Sequence, residues 1–266
     1  CETMGIATLS QFWGITAAKT ILNGGYSMAD LITATNVFAH VDDVTEFIEA
    51  VKLVLKPTGI LVMEFPYLVN FIENKEFDTI YFEHLSYYSV YPLTLLCKKL
   101  GLQVMNVTKQ EIHGGSIRVT IGYGGQDETV EAFVINELQH YSKIERYYQF
   151  AKDVQVTIDD FRNGISHLKG KVAGFAASAK GNTLLNSCGI TVGLMSYIVD
   201  ETPEKIGKYS PGTHIPIISL NDFIKNPPDY LVILSWNFKE AIIEKCRKAG
   251  YRGKFILPIP QFKIID

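Results

Sequence analysis

A chain of 266 residues with 47% hydrophobic content is long enough to bury a substantial core, and its length favours two domains over one. The net charge of -3 leaves no basic field for a polyphosphate backbone, and no cluster of lysines or arginines occurs, which argues against nucleic acid as a partner. No apolar run approaches the length of a membrane span, and the N-terminus lacks the basic stretch and apolar core of a signal peptide. Cys1, Cys97, Cys188 and Cys246 are scattered without a CxxC pair, which argues against a disulfide framework or a structural zinc and fits a reducing cytoplasm.

Taken in order, the chain first predicts an α/β unit: an apolar strand over Leu31 to Val37, an amphipathic helix over about Asp42 to Leu55 and a second apolar strand over Ile60 to Phe65. Pro57-Thr58-Gly59 reads as the turn between that helix and strand. Strands apolar on both faces belong inside a sheet covered by helices, and ligands of such sheets gather at the carboxyl ends of the strands. Those ends carry Asn36 and His40, then Glu64, Phe65 and Pro66.

The stretch from Phe77 to Ser89 follows. It is too polar for a core strand, and it sets Glu83 beside His84 among Tyr81, Tyr87 and Tyr88. Such side chains stack on a ring or hold a proton; the same stretch also reads as a surface connection with a buried tyrosine cluster. A helix over about Tyr91 to Leu100 and strands over Val104 to Val107 and Ile117 to Ile121 suggest an antiparallel hairpin closing the sheet, joined through His113-Gly114-Gly115-Ser116. Between Asp127 and Lys169 apolar residues recur at three- and four-residue steps, giving one or two long bridging helices. His140 and His167 fall on these helices and read as surface residues.

A second α/β pattern begins with a strand over Val172 to Ala177, a turn over Ser178 to Asn182 and a helix opening at Thr183. Further strands are expected over Leu194 to Val199, Tyr230 to Leu234 and Lys254 to Leu257, with a helix ending near Lys248. This is a second small parallel sheet. Its first turn is glycine-containing without GxGxxG spacing; small residues, a helix start and Lys180 together suit a diphosphate, and equally suit a tight turn with a solvated lysine. His40, His84 and His113 come from separate loops whose spacing matches no usual zinc signature, so proton transfer is favoured over metal binding.

Several segments, in order through nearly the whole chain, carry a family resemblance: Asn36 to Val41, Leu55-Lys56-Pro57-Thr58-Gly59, Glu64 to Leu68, Phe77 to Ser89, His113 to Arg118, Ser178 to Leu185, Pro211 to His214 and Trp236-Asn237-Phe238. Together they resemble the two-domain sugar C-methyltransferases that act on nucleotide-linked 4-keto sugars. The resemblance implies part of a class I methyltransferase sheet, Rossmann-like and ending in an antiparallel hairpin, over residues 1–126. A helical bridge and a small α/β domain for the nucleotide sugar follow over residues 127–266.

The resemblance further implies S-adenosylmethionine as cofactor and a base that removes the proton beside the keto group. It makes His84 the base, with Glu83, Tyr81 and His40 orienting it or stabilising the enolate. Lys180, Gly181 and Asn182 would hold the diphosphate of a nucleoside-diphosphate sugar, with Ser116, Arg118 and Tyr87 as further substrate contacts; Asn36 and Phe38 would face the cofactor. The family's glycine-rich cofactor loop and early zinc cysteines are not in this sequence, so the chain is expected to be the latter part of such an enzyme, inactive by itself. The rival expectation is a non-catalytic nucleotide-sugar-binding protein; a dehydrogenase or epimerase is disfavoured for want of a clean GxGxxG.

Overall fold

The computed structural model describes residues 2–110 and 115–266, which gather into two compact units. Residues 2–69, 85–110 and 115–142 form the first unit, and residues 70–84 and 143–266 the second. The first unit runs past residue 126, the boundary expected from sequence, to residue 142, and the chain leaves it over residues 70–84 before returning. Among the described residues no helix is long and apolar enough to cross a membrane.

The first unit contains α1 (Ile15–Asn23), β1 (Ala29–Thr35), α2 (Val44–Val54) and β2 (Leu55–Pro66), and the division from the second unit falls within α3 (Leu68–Glu73). It resumes with α4 (Val90–Lys99), β3 (Gln103–Gln110), β4 (Ser116–Gly122) and α5 (Glu128–His140). The sheet order is β1-β2-β4-β3, with β1 and β2 parallel and the other pairs antiparallel, so the expected closing hairpin is present. Helix α2 starts where the Asp43 carboxylate accepts hydrogen bonds from the Thr45 and Glu46 amides, and it buries Phe47, Ile48, Val51 and Val54 at helical spacing.

Pro57-Thr58-Gly59 is not a turn: it lies inside β2. A Cβ at Gly59 would stand 2.7 Å from the Ala29 carbonyl oxygen, so glycine here permits the two strands to approach.

The second unit contains α6 (Ile144–Ser166), β5 (Val172–Phe175), α7 (Ala179–Ser187), β6 (Ile198–Val199), β7 (Ile217–Ile218), α8 (Leu220–Lys225), β8 (Tyr230–Ile233), α9 (Lys239–Lys248), β9 (Lys254–Leu257) and β10 (Lys263–Ile265). Its sheet order is β10-β9-β8-β5-β6-β7, parallel except for β10. Numbered from β5, this is the doubly wound 3-2-1-4-5-6 arrangement, in which the strand order reverses between β5 and β8. One face of the sheet packs Val172, Val232 and Ile256 against Phe161, Leu184 and Phe77, the last brought by the 70–84 segment. The other face packs Phe175, Ile233 and Phe255 against Phe223, Ile242 and Tyr251.

Helix α7 begins four residues before the expected Thr183. The Ser178 hydroxyl accepts a hydrogen bond from the Gly181 amide, so Ser178 to Asn182 is a helix N-cap and first turn rather than a free turn.

Candidate functional site

The 70–84 segment ends in a one-turn 3-10 helix, Phe77–Thr79, that orders the chemistry after it. Phe77 is buried in the second unit's core, and the Thr79 hydroxyl donates to the Glu76 carbonyl at 2.7 Å. The Thr79 carbonyl lies 3.0 Å from His84 Nδ1, and the Tyr81 hydroxyl lies 3.2 Å from His84 Nε2. A carbonyl only accepts, so Nδ1 carries the proton and Nε2 is the basic nitrogen, facing the Tyr81 phenol. The two rings lie 4.3 Å apart between centroids. Burial, then the charges of Glu83 and Asp78, raise the Tyr81 pKa, so this phenol stays protonated and donates at neutral pH. Glu83 is exposed.

Behind this pair lies a buried acidic cluster. Asp78 is wholly buried; its Oδ2 accepts from the Trp236 indole N–H at 2.8 Å, while its Oδ1 has no hydrogen-bond partner. Burial pushes the Asp78 pKa up to about 6, against the lowering effects of Lys180 and the indole. Glu76, also buried, accepts from the Asn74 amide at 3.0 Å. Burial pushes it up to about 7, opposed by the Asn74 hydrogen bond and by Lys180. The Lys180 ammonium sits 4.2 Å above the Trp236 ring. Lys180 therefore faces carboxylates and an indole rather than the opening beside its helix.

That opening is a cleft of about 390 Å³ at the carboxyl ends of β5, β6 and β7. Ile217 and Leu234 give it apolar walls, Gly181 and Asn182 line it from the start of α7, and Lys205, Lys208 and Tyr209 supply polar groups from the loop after β6. Asp200, at the end of β6, accepts from the Ala177 and Thr202 amides at 2.7 and 2.8 Å and lies 3.6 Å from the Lys205 ammonium. Burial acts to raise its pKa, but these donors outweigh it and hold the carboxylate low. Lys205 also donates to the Ala177 carbonyl, whereas Lys208 and Tyr209 are exposed. Sequence inspection missed Lys205, Lys208 and Tyr209, since only the fold carries this loop to the start of α7.

The remaining sequence candidates belong to the first unit. Asn36 follows β1 in a left-handed conformation with φ of 55°, its amide bonded to the Glu64 carbonyl at 2.8 Å. Phe38 is fully buried against Phe47, Phe65 and Tyr88, with its ring 4.4 Å from that of Tyr88, so its side chain presents no face to a cofactor. Asn36, by contrast, is only half-buried. His40 is exposed at the end of a 3-10 turn, Tyr87 is half-buried, and Ser116 is buried at the start of β4. Arg118 is committed across the strand pair: its Nε and a terminal nitrogen both donate to one Glu64 oxygen, at 3.1 and 2.8 Å. His113 and Gly114 lie outside the described residues.

Comparison with known proteins decides the family. Residues 111–260 match the model of the C-methyltransferase C-terminal domain, and residues 16–107 match a methyltransferase domain model. The chain belongs to the C-methyltransferase family. Among curated relatives of this family, C-methyltransferase NovU of Streptomyces niveus is 34% identical over 250 residues, a span covering 91% of this chain. The chain spans 60% of the length of that relative. The C-terminal family model begins within the first unit's hairpin and runs through the second sheet, so it takes in Lys180, the cleft and Trp236, while the His84 stretch lies in the methyltransferase domain match.

Proposed function

We propose that this chain supplies the proton-abstracting group and the nucleotide-sugar site of a C-methyltransferase acting on a nucleotide-linked keto sugar, with S-adenosylmethionine as the methyl donor of the whole protein. The observation that carries it is the contact of His84 Nδ1 with the Thr79 carbonyl, 3.0 Å away. With Nδ1–H held by the Thr79 carbonyl, Nε2 is the nitrogen that takes the acidic proton from the carbon beside the keto group. Tyr81, kept protonated, turns its hydroxyl from Nε2 to the keto oxygen and stabilises the enolate that forms. Glu83, the neighbouring residue in sequence, is exposed to water.

On this reading the nucleoside diphosphate binds in the cleft of the second unit. Its apolar walls suit a base, Tyr209 offers a ring, and Lys208 offers an exposed cation beside the start of α7. Gly181 and Asn182 remain substrate candidates on this basis, with Lys180 acting from behind the helix.

A direct test follows exchange of the substrate's acidic proton with deuterated solvent in the full-length protein. His84→Gln is expected to slow exchange by at least about 100-fold, the usual scale of a general base, with the Kd for the sugar nucleotide within a factor of about three. Exchange at the wild-type rate would remove His84 from the role. A binding-only role is favoured by one feature, the cleft being complete within the second unit; it predicts binding with no exchange in any variant.

A further inference from the structure

Asp78 is an expensive residue for its position. A side chain with no exposed surface and an unpartnered carboxylate oxygen destabilises the fold, and an apolar residue of similar size would pack there without that loss. A carboxylate retained at such a position calls for a purpose other than stability.

The surroundings show one. Asp78 is the middle residue of the 3-10 turn whose last carbonyl, that of Thr79, holds His84 Nδ1. Beyond the turn's backbone hydrogen bonds, Phe77 enters the core, the Thr79 hydroxyl bonds the Glu76 carbonyl, and the Asp78 carboxylate accepts the indole N–H of Trp236, 158 residues further along the chain. The first two act on the flanks. The third grips the central residue from an element outside the segment.

Trp236 is itself held. It follows β8, the neighbouring Ser235 hydroxyl donates to the Ser178 hydroxyl at 3.1 Å, and the Lys180 ammonium lies against its ring. A continuous path therefore runs from Trp236 through Asp78 to the Thr79 carbonyl and on to the His84 ring.

The geometry points to Asp78 and Trp236 as positioning residues that set the tautomer and orientation of His84 through the Thr79 carbonyl. This rests on the assignment of His84 as the base, but its primary test does not. The path also gives Lys180 a reason to lie away from the cleft: it balances Asp78 and Glu76 and braces the indole.

The test reads His84 directly. Nitrogen-15 NMR of histidine-labelled full-length protein, with the His84 signal identified by its loss in His84→Gln, is expected to show predominantly the Nδ1–H tautomer in the wild type. Trp236→Phe removes the indole donor and keeps a ring for Lys180, and Asp78→Leu removes the acceptor; both are expected to give a mixture of tautomers. Asp78→Asn keeps an oxygen for the indole and should restore the Nδ1–H form. On the same account Trp236→Phe lowers kcat by about 10-fold with KM changed less than about two-fold, the scale of a lost partner behind a working group.

Either disrupting variant, folded and still showing the wild-type tautomer, would overturn the proposal, and measuring two keeps the test alive if one fails to fold. A changed tautomer with unchanged proton exchange would uphold the positioning role and count against His84 as the base.

Discussion

Glu76 and Asp78 are carboxyl groups kept where their charged forms are disfavoured, with Lys180 as the nearby compensating cation. Both hold a proton more tightly folded than unfolded: Glu76 moves from 4.5 to about 7 and Asp78 from 3.8 to about 6. Between those values the folded state binds more protons than the unfolded one, so their contribution is fully present below about pH 4 and is lost as pH rises through 6 to 7. At about 1.4 kcal/mol per pH unit the loss is roughly 3 kcal/mol for either group taken alone. The urea midpoint is therefore expected to fall between pH 4.5 and pH 7.5, and Glu76→Gln to flatten the fall. A midpoint rising across that window would contradict the burial described for these groups. The thiols behave differently: burial pushes Cys97, Cys188 and Cys246 up to about 12, which makes them inert packing groups at neutral pH.

At the scale of elements, helix ends carry the site. Ser178→Ala removes the cap of α7 and is expected to cost about 1 kcal/mol of stability. Because Gly181 and Asn182 line the cleft from that first turn, the variant should also weaken nucleoside-diphosphate binding, and titration calorimetry with thymidine and uridine diphosphates checks it. Lys208→Ala tests the cleft itself: an exposed charge-assisted phosphate contact predicts a loss of about 5- to 10-fold, shrinking in high salt. Unchanged affinity would move the nucleotide elsewhere. In the first unit Glu137 serves as a remote cap for α4, accepting from the Val90 and Tyr91 amides at 2.7 Å and from the Tyr67 hydroxyl at 2.8 Å. Periodicity was enough to find α2, α4, α6 and the apolar strands. It could not find the Ser178 cap, because serine, glycine and asparagine in a row suit a turn as well as a helix start. Nor could it show α8, a single short turn of helix, or β10, which pairs antiparallel at the sheet edge.

Over the whole molecule, two sheets of different construction share one chain, and the segment most charged with chemistry belongs by its contacts to the second unit although it follows β2 of the first. The density of Tyr81, Glu83 and His84 made that segment legible as a candidate site. Its allegiance was not legible, since it depends on Trp236 and on Phe77 entering a core built more than eighty residues later. The same limit explains Phe38 and Arg118, read in sequence as a cofactor contact and a substrate contact, which the fold packs in an aromatic core and pairs with Glu64. In the proposed reaction His84 draws a proton from carbon. The most direct measurement incubates the full-length protein with a nucleoside-diphosphate 4-keto sugar in deuterated water without methyl donor and follows deuterium in the recovered sugar by mass spectrometry. One deuterium gained with the wild type and none with His84→Gln is the expected result; equal incorporation by both proteins would contradict it.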